Sequence, residues 1–250
     1  MNSTGPAFLV STIARMLAGR KHVAVGANSP IPASAALLAR ALSGGTMRVS
    51  IIGSRRFSSF TGLADLFDCA TTGRLDGFFL SPGQIDGQAN INMIGVGEYP
   101  RMKVRWPGSH GSPLVYLMIP NIILFRPDHL RRTLVPQVDF ISAPGTSPPN
   151  VFRPGGPSAL VTSLAAFAFD RTRARFRLDT VHPGHTEAEV RENTGFEFDL
   201  SPDLRETPPP RVDDLRAIAD VAGPEVAEIY PQFAERLVAE ALAACPAVPA

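Results

Sequence analysis

Three times between Phe8 and Leu80, residues at helical apolar spacing are followed by a short apolar run of strand length, and this recurrence restricts the fold more than any other feature of the chain. Phe8 to Leu17 places Val10, Ile13, Ala14 and Leu17 on one helical face, with Gly19 as a stop, and His22 to Gly26 follows as a strand. Pro32 to Leu42 opens with proline at a first-turn position and leads to the alternating strand Met47 to Ile52. Leu63 to Thr71 gathers Leu63, Leu66, Phe67 and Ala70 on one face, ahead of the run Leu75 to Leu80. Strands joined through helices pair in parallel, so the expected fold is α/β, a three-layer α/β/α arrangement with a mainly parallel sheet.

Further strands are expected over Asn121–Phe125, Gln137–Ile141, Ala159–Val161, Ala166–Phe169 and Ala174–Leu178. Thr186 to Glu192 reads as a short helix, with Thr186 and Glu189 spaced as a capping box. The Pro- and Gly-rich segment Pro144 to Pro157 reads as a surface loop. Residues 1–207 are expected to form the α/β domain. After Pro208-Pro209-Pro210, residues 208–250 are expected to form a helical tail, packed on the domain or on a partner subunit, with a last helix from Pro231 to about Ala244.

Two polar segments stand out against this frame. Leu75–Leu80 runs into Gly83-Gln84-Ile85-Asp86-Gly87-Gln88-Ala89-Asn90-Ile91-Asn92, and a buried strand ending so delivers Gln84, Asp86, Asn90 and Asn92 to the carboxyl edge of the sheet, where open α/β sheets bind ligands. Pro107-Gly108-Ser109-His110-Gly111 can turn backbone N–H groups toward an anion, because glycine tolerates the dihedrals required. Together they suggest a pocket for a polarised carbonyl or a phosphate. The same Asn and Asp residues also satisfy tight turns by themselves.

Composition narrows the class. Hydrophobic residues make up 44% and charged residues 19%, which excludes a disordered chain, and a net charge of +1 gives no nucleic-acid footprint. Cys69 and Cys245 are too few and too separated for a disulfide framework. No signal-peptide pattern is read at the N-terminus, and the longest apolar stretch, Leu114 to Phe125, carries Pro120 and Asn121 and is too short to span a bilayer. A cytoplasmic location is expected, with no membrane and no nucleic acid among the partners.

In order and spacing, GQID followed by Asn90-Ile91-Asn92, the Gly-Ser-x-Gly loop, the strand–Arg131-Arg132–strand block and Glu192-Asn193-Thr194-Gly195-Phe196 resemble the β subunit of family I CoA-transferases of the glutaconate type. The resemblance runs from roughly Ile13 to Leu200. It implies a CoA-transferase-like α subunit as partner, a heterodimer or heterotetramer, and acyl-CoA as substrate, with no further cofactor and no metal. It also implies that Gly108, Ser109 and Gly111 belong to an oxyanion-binding loop in which His110 replaces a glycine.

One family residue is missing. The strand corresponding to Met47–Ile52 ends, in the family, in a glutamate whose carboxylate attacks the thioester to give an acyl anhydride and then a glutamyl-CoA thioester. Here Ile52 stands at about that position, and no Asp or Glu occurs between Thr46 and Gly62. Three explanations stay open: the α subunit supplies the carboxylate; the complex carries out different thioester chemistry, as in diverged hydrolase and decarboxylase relatives; or the chain is a non-catalytic subunit that binds acyl-CoA or another protein.

The remaining candidates each have a structural alternative. Arg55 and Arg56 can hold a substrate carboxylate or CoA phosphate bidentately, or form a solvated turn or an interface ion pair. Ser54 is a hydrogen-bond donor or a catalytic hydroxyl without an activating motif. His110 is an acid/base candidate or a loop residue. His182-Pro183-Gly184-His185 reads as a turn rather than a metal site. Arg131-Arg132 reads as a solvated loop, or as a contact to a CoA phosphate or a partner chain, and Gly95-Val96-Gly97 lacks the rest of a dinucleotide fingerprint. In Glu192–Phe196, Gly195 is expected to end the helix and Phe196 to enter the core.

Overall fold

The structure, a computed structural model, describes residues 5–245. The expected domain and tail therefore extend at positions 1–4 and 246–250 outside the described residues. In chain order the elements are α1 (Pro6–Met16), β1 (His22–Val25), α2 (Pro30–Leu42), β2 (Arg48–Ile51), α3 (Leu63–Thr71), β3 (Phe78–Leu80), β4 (Gln84–Ile85), β5 (Ile91–Asn92), β6 (Gly95–Val96), β7 (Val104–Arg105) and α4 (Ser112–Met118). There follow β8 (Ile122–Phe125), β9 (Pro157–Val161), β10 (Ala165–Asp170), β11 (Arg175–Val181), α5 (Glu187–Asn193), β12 (Asp199–Glu206), α6 (Val212–Ala217), a π-turn (Ile218–Ala222), α7 (Gly223–Val226) and α8 (Pro231–Ala244).

The chain forms two compact units. Among the described residues the first comprises 5–66, 75–77 and 208–245, and the second 67–74 and 78–207. The stretch read as one domain thus contributes to both units, and the stretch read as a tail belongs to the first. Its polyproline turn is fastened there by Arg15, which donates to the carbonyls of Pro208 and Pro209 and pairs with Asp214.

In the first unit β1 and β2 pair in parallel, and Gly77 bridges to Val23. All of β1 is buried, as are Leu37 and Leu38 of α2, Ile218, Val226 and Leu237. These apolar positions recur at helical spacing, so each helix presents one stripe to a common core.

In the second unit a six-stranded sheet has the order β12-β11-β10-β9-β8-β3. Pairing is parallel for β3 with β8, β8 with β9 and β11 with β12, in keeping with the expected mainly parallel sheet. It is antiparallel where β10 meets β9 and β11. Residues 162–164 between β9 and β10 are too few for a crossover, so that junction must be a hairpin. Phe167, Phe176 and Phe198 pack edge to face over this sheet.

Three local expectations fail for identifiable reasons. Gln137–Ile141 is not a strand: Asp139 accepts from Gly97 N at 2.7 Å, its own N–H donates to Gln84 Oε1 at 3.0 Å, and Phe140 packs on Tyr99, so the segment is a cross-braced loop. Phe198, not Phe196, enters the core, and Phe196 is half-buried, stacked on Phe176. The capping box at α5 is half formed. Thr186 Oγ1 accepts from Glu189 N, but the Glu189 carboxylate turns to His185 Nδ1 at 3.0 Å. Gly195 follows the helix end, and the reason for glycine is contact: a Cβ there would lie 2.3 Å from the Leu134 carbonyl oxygen.

Candidate functional site

In the second unit, β4 and β5 form a two-stranded hairpin in which Gln84 pairs with Asn92 and Ile85 with Ile91. The turn between them is built by its own side chains. Asp86 Oδ1 accepts from the N–H groups of Gln88 and Asn90, both at 3.0 Å, and Asp86 Oδ2 accepts from Asn90 Nδ2 at 3.1 Å. Asn92 Nδ2 donates to Gln84 Oε1 and to the Gly95 carbonyl, both at 2.7 Å, while its Oδ1 accepts from Ile94 and Gly95 N–H. Asn90 Oδ1 accepts from Gly145 N. All four predicted side chains are buried, and the structure brings them together as a braced hairpin.

The turn is held from outside as well. Ala89 lies at φ 57, in the left-handed region that non-glycine residues rarely occupy. Its carbonyl accepts from the buried Tyr116 hydroxyl at 2.7 Å, and burial pushes that phenol well above its ordinary pKa. Gly145 packs so closely that a Cβ would lie 2.1 Å from Gln88 O. A cavity of about 490 Å³ opens beside the turn, lined by Asp86, Gln88, Asn90, Phe196, Arg173 and Arg175. Both arginines are paired with Asp199, at 2.6 and 2.8 Å. Gln84 Nε2 has no hydrogen-bond partner among the described residues and is the one amide group of the hairpin's Gln84–Asn92 pair left for a ligand.

The loop 107–111 belongs to the same unit. Gly108, His110 and Gly111 have φ of 112, 46 and 84, a run of left-handed residues that leads into α4. At Gly111 a Cβ would come within 2.2 Å of the Phe67 ring, so glycine is required by contact as well as by dihedral. His110 is exposed and without a side-chain partner among the described residues. The loop is tied to the hairpin through Trp106, whose backbone N–H donates to Ile94 O at 2.9 Å and whose ring lies 2.1 Å from where a Cβ on Gly83 would be.

Ser54, Arg55 and Arg56 sit in the first unit, in the loop that leaves β2. Ile52 N donates to Val25 O, and Gly53 then turns at φ 94. Ser54 Oγ donates to Glu228 Oε2 at 2.7 Å and accepts from Phe57 N at 2.8 Å; Arg55 N and Arg56 N donate to Glu228 Oε1 at 2.7 and 3.3 Å. The hydrogen bond from Ser54, with those from the two amides, holds the Glu228 carboxyl below its ordinary pKa. Arg56 pairs with Glu225 at 3.0 Å and lies over the Phe57 ring, as does Arg40. A carboxylate is therefore present at the end of β2, although the local sequence contains none. Nothing in the spacing around Pro224 and Pro231 signals Glu228, because the contact joins residues 174 positions apart.

His182 is fully buried between Thr207 Oγ1 and the Thr162 carbonyl, and His129 between the hydroxyls of Thr162 and Thr194. Desolvation lowers both imidazoles to a pKa of about 4. Arg131 donates to Glu192 O, and both Arg131 and Arg132 are exposed. Among the described residues no His/Cys/Asp/Glu cluster has metal-binding geometry, and no helix is long and apolar enough to cross a membrane.

The family model described as "Coenzyme A transferase" matches residues 2–193. Among curated proteins, the chain is 33% identical over 153 residues to the B subunit of 3-oxoadipate CoA-transferase from Pseudomonas knackmussii, covering 58% of this chain and 58% of that one. It is 31% identical to the B subunit of glutaconate CoA-transferase from Acidaminococcus fermentans, over 54% of this chain and 53% of that one. The matched region thus spans little more than half the length of these relatives. Among solved structures, the decarboxylase AibA/AibB superposes with a TM-score of 0.74 at 25% identity, over 94% of this chain and 98% of that one. IpdAB of Rhodococcus jostii RHA1 superposes with a TM-score of 0.75 at 21% identity, over 95% and 98%, a likeness of fold.

Proposed function

Because the chain belongs to the coenzyme A transferase family, we propose that it is the B-type subunit of a heteromeric enzyme acting on acyl-CoA thioesters, with an A-type subunit as partner in a heterodimer or heterotetramer. The observation that carries this reading is the family match across residues 2–193, joined by two curated relatives that are themselves B-type subunits of CoA-transferases. The acyl-CoA is substrate, and no further cofactor enters the proposal. The free thiols Cys69 and Cys245 fit a reducing compartment, and we place the enzyme in the cytoplasm.

Roles follow from what each group offers. Backbone N–H groups of the loop Gly108-Ser109-His110-Gly111 are donors for the oxyanion that develops on the thioester carbonyl, a contribution of several kcal/mol when preorganised. Gln84 Nε2 is a donor for the acyl group, while Asp86, Asn90 and Asn92 position the strand that carries it. His110 is the titratable side chain of that loop and our candidate for proton transfer. The Arg55 guanidinium is suited to an anionic group of the substrate. We assign the nucleophilic carboxylate to the partner subunit, since Ile52 cannot supply one and the Glu228 carboxylate at the end of β2 has its oxygens engaged by Ser54 Oγ and the Arg55 and Arg56 amides.

A second reading, acceptor-independent hydrolysis or decarboxylation of the acyl-CoA, is favoured by that same apolar residue at Ile52. It is favoured too by similarity to the IpdB subunit of a cholesterol ring-cleaving hydrolase from Rhodococcus jostii, 28% identical over 64% of each chain. The test is co-purification with the A-type subunit and incubation with an acyl-CoA panel, with and without carboxylic acid acceptors, read by mass spectrometry. New acyl-CoA formed only with an acceptor is the expected result. Loss of CoA or CO₂ without acceptor transfers the assignment to the second reading. No change across the panel, with the complex intact, overturns both.

A further inference from the structure

The loop leaving β2 holds a carboxylate on donors that do not depend on it. Ser54 N donates to Ile51 O and Ile51 N to Phe57 O, so the loop is closed by its own backbone. Phe57 N donates to Ser54 Oγ, which turns the buried hydroxyl's own proton outward. Three donors then meet both oxygens of one carboxylate: Ser54 O–H on Oε2, and the N–H groups of Arg55 and Arg56 on Oε1. Charge-assisted bonds of this kind recognise a carboxylate by geometry as well as charge.

The occupant, in contrast, is loosely kept. Glu228 is exposed, and this loop is the only partner of its carboxylate among the described residues. It lies in the short link between α7 and α8, where rotating the side chain away breaks no helical hydrogen bond. Glu225, on α7, performs the anchoring: it is 8% exposed and pairs with both Arg40 and Arg56. The Arg55 guanidinium is exposed and makes no hydrogen bond or ion pair among the described residues; its charge acts on Glu228 through space, which leaves a cation beside the donors.

We propose that Gly53-Ser54-Arg55-Arg56 is a binding site for the carboxylate of a small organic acid, or of an acyl group that carries one, and that Glu228 is its internal, exchangeable occupant. The lowered pKa of Glu228 agrees with a site that favours the anion over the neutral acid. An intramolecular carboxylate competes at an effective concentration on the order of millimolar, comparable to the dissociation constant of a weak surface carboxylate site, so deleting it raises the affinity for an external one by about twofold. The proposal does not require thioester chemistry, and its readout is binding at named amides rather than turnover.

The experiment is a titration of the isotope-labelled full chain followed through the Arg55 and Arg56 amide resonances. Glutarate, glutaryl-CoA and butyryl-CoA are added to the unaltered chain, to Glu228→Ala and to Glu228→Ala/Ser54→Ala. Saturable shifts in Glu228→Ala, about twofold tighter than in the unaltered chain and lost on adding Ser54→Ala, are expected. A response to glutarate assigns the site to free acids, and a response to glutaryl-CoA alone assigns it to a carboxylate carried on a thioester. An equal response to butyryl-CoA, which lacks the carboxylate, overturns the proposal. So does the absence of any gain in Glu228→Ala, or a gain that survives Ser54→Ala. Should Glu228→Ala unfold, Glu228→Gln keeps the side-chain length and one acceptor, and a smaller but saturable gain is then the expected result.

Discussion

The hairpin Gln84–Asn92 and the loop Ser54–Arg56 are both places where polar groups converge, yet they solve the problem in opposite ways. In the hairpin, the side chains satisfy one another across two to eight positions of sequence, in the protein interior. In the loop, the donors receive a carboxylate from 174 residues away, at the surface. Buried polar groups must be paired because water cannot replace a lost partner, whereas a surface partner is always in competition with water. The hairpin is therefore a rigid structural part and the loop an exchangeable one. Polar residues at the carboxyl edge of a strand are not by themselves a ligand site; what matters is which of their atoms remain unspent.

If that contrast is right, the largest effect belongs to Asn92. The side chain is fully buried and makes hydrogen bonds to Gln84, Ile94 and Gly95. Asn92→Ala strands several of those groups at once, and at roughly 1–3 kcal/mol for each buried group left unpaired, a loss of about 3 kcal/mol or more is expected. Urea denaturation measures it. A loss below about 1 kcal/mol would mean that water reaches the hairpin and that its bracing is not what distinguishes it. Gly145→Ala is expected to follow at about 2–3 kcal/mol, because its Cβ would lie 2.1 Å from a backbone oxygen that cannot swing aside.

The histidines separate two variables that the hairpin and the loop confound. His129 and His182 are buried like the hairpin, but their partners are 20 to 65 residues away, distant as in the loop. If burial and not sequence distance sets the cost, they behave like the hairpin. Each imidazole has a folded pKa of about 4, below the unfolded value of 6.5. The folded state thus binds fewer protons, stability is complete above 6.5, and it falls as pH drops from 6.5 toward 4. Between pH 7 and pH 5 the loss is roughly 2 kcal/mol for each histidine. Unfolding free energies at the two pH values test this, and His129→Gln should remove about half of the dependence. A flat profile would show that the folded protein accommodates the imidazolium.

How far sequence could see follows the same division. Elements governed by local periodicity were legible: α3 over Leu63–Thr71 and α8 over Pro231–Ala244 stand where apolar spacing and first-turn prolines put them. The alternation over Phe8–Leu80 also revealed the parallel pairing of β1 with β2, and residues 162–164 were short enough to have betrayed the hairpin that interrupts the parallel pairing of the larger sheet. Gln137–Ile141 misled because its alternating pattern serves Gln84, Gly97 and Tyr99 rather than a sheet neighbour. In Gly195-Phe196-Glu197-Phe198, two aromatic residues on the same parity compete for one core position, and only the packed Phe167 ring decides for Phe198. Glu228 was invisible. A carboxylate absent from the loop in sequence and present in space is a tertiary fact, and no local rule contains it.

The smallest effect sharpens the contrast from the other side. Ser54 is 4% exposed, but one of its two hydrogen bonds stays within the loop, to Phe57 N, and the other reaches an exposed carboxylate. Ser54→Ala therefore strands a single buried N–H, for about 1 kcal/mol, and Glu228→Ala is expected to cost less, since its donors turn to water. The double variant discriminates. When Glu228 is already gone, Ser54→Ala should cost nearly what it costs alone, because the Phe57 bond carries its contribution. In the hairpin, Gln84→Ala and Asn92→Ala share a buried bond and should couple by about 0.5 kcal/mol or more. Coupling at the loop as strong as that in the hairpin would make Glu228 a fixed structural member, and the difference between the two regions would then be one of sequence distance alone.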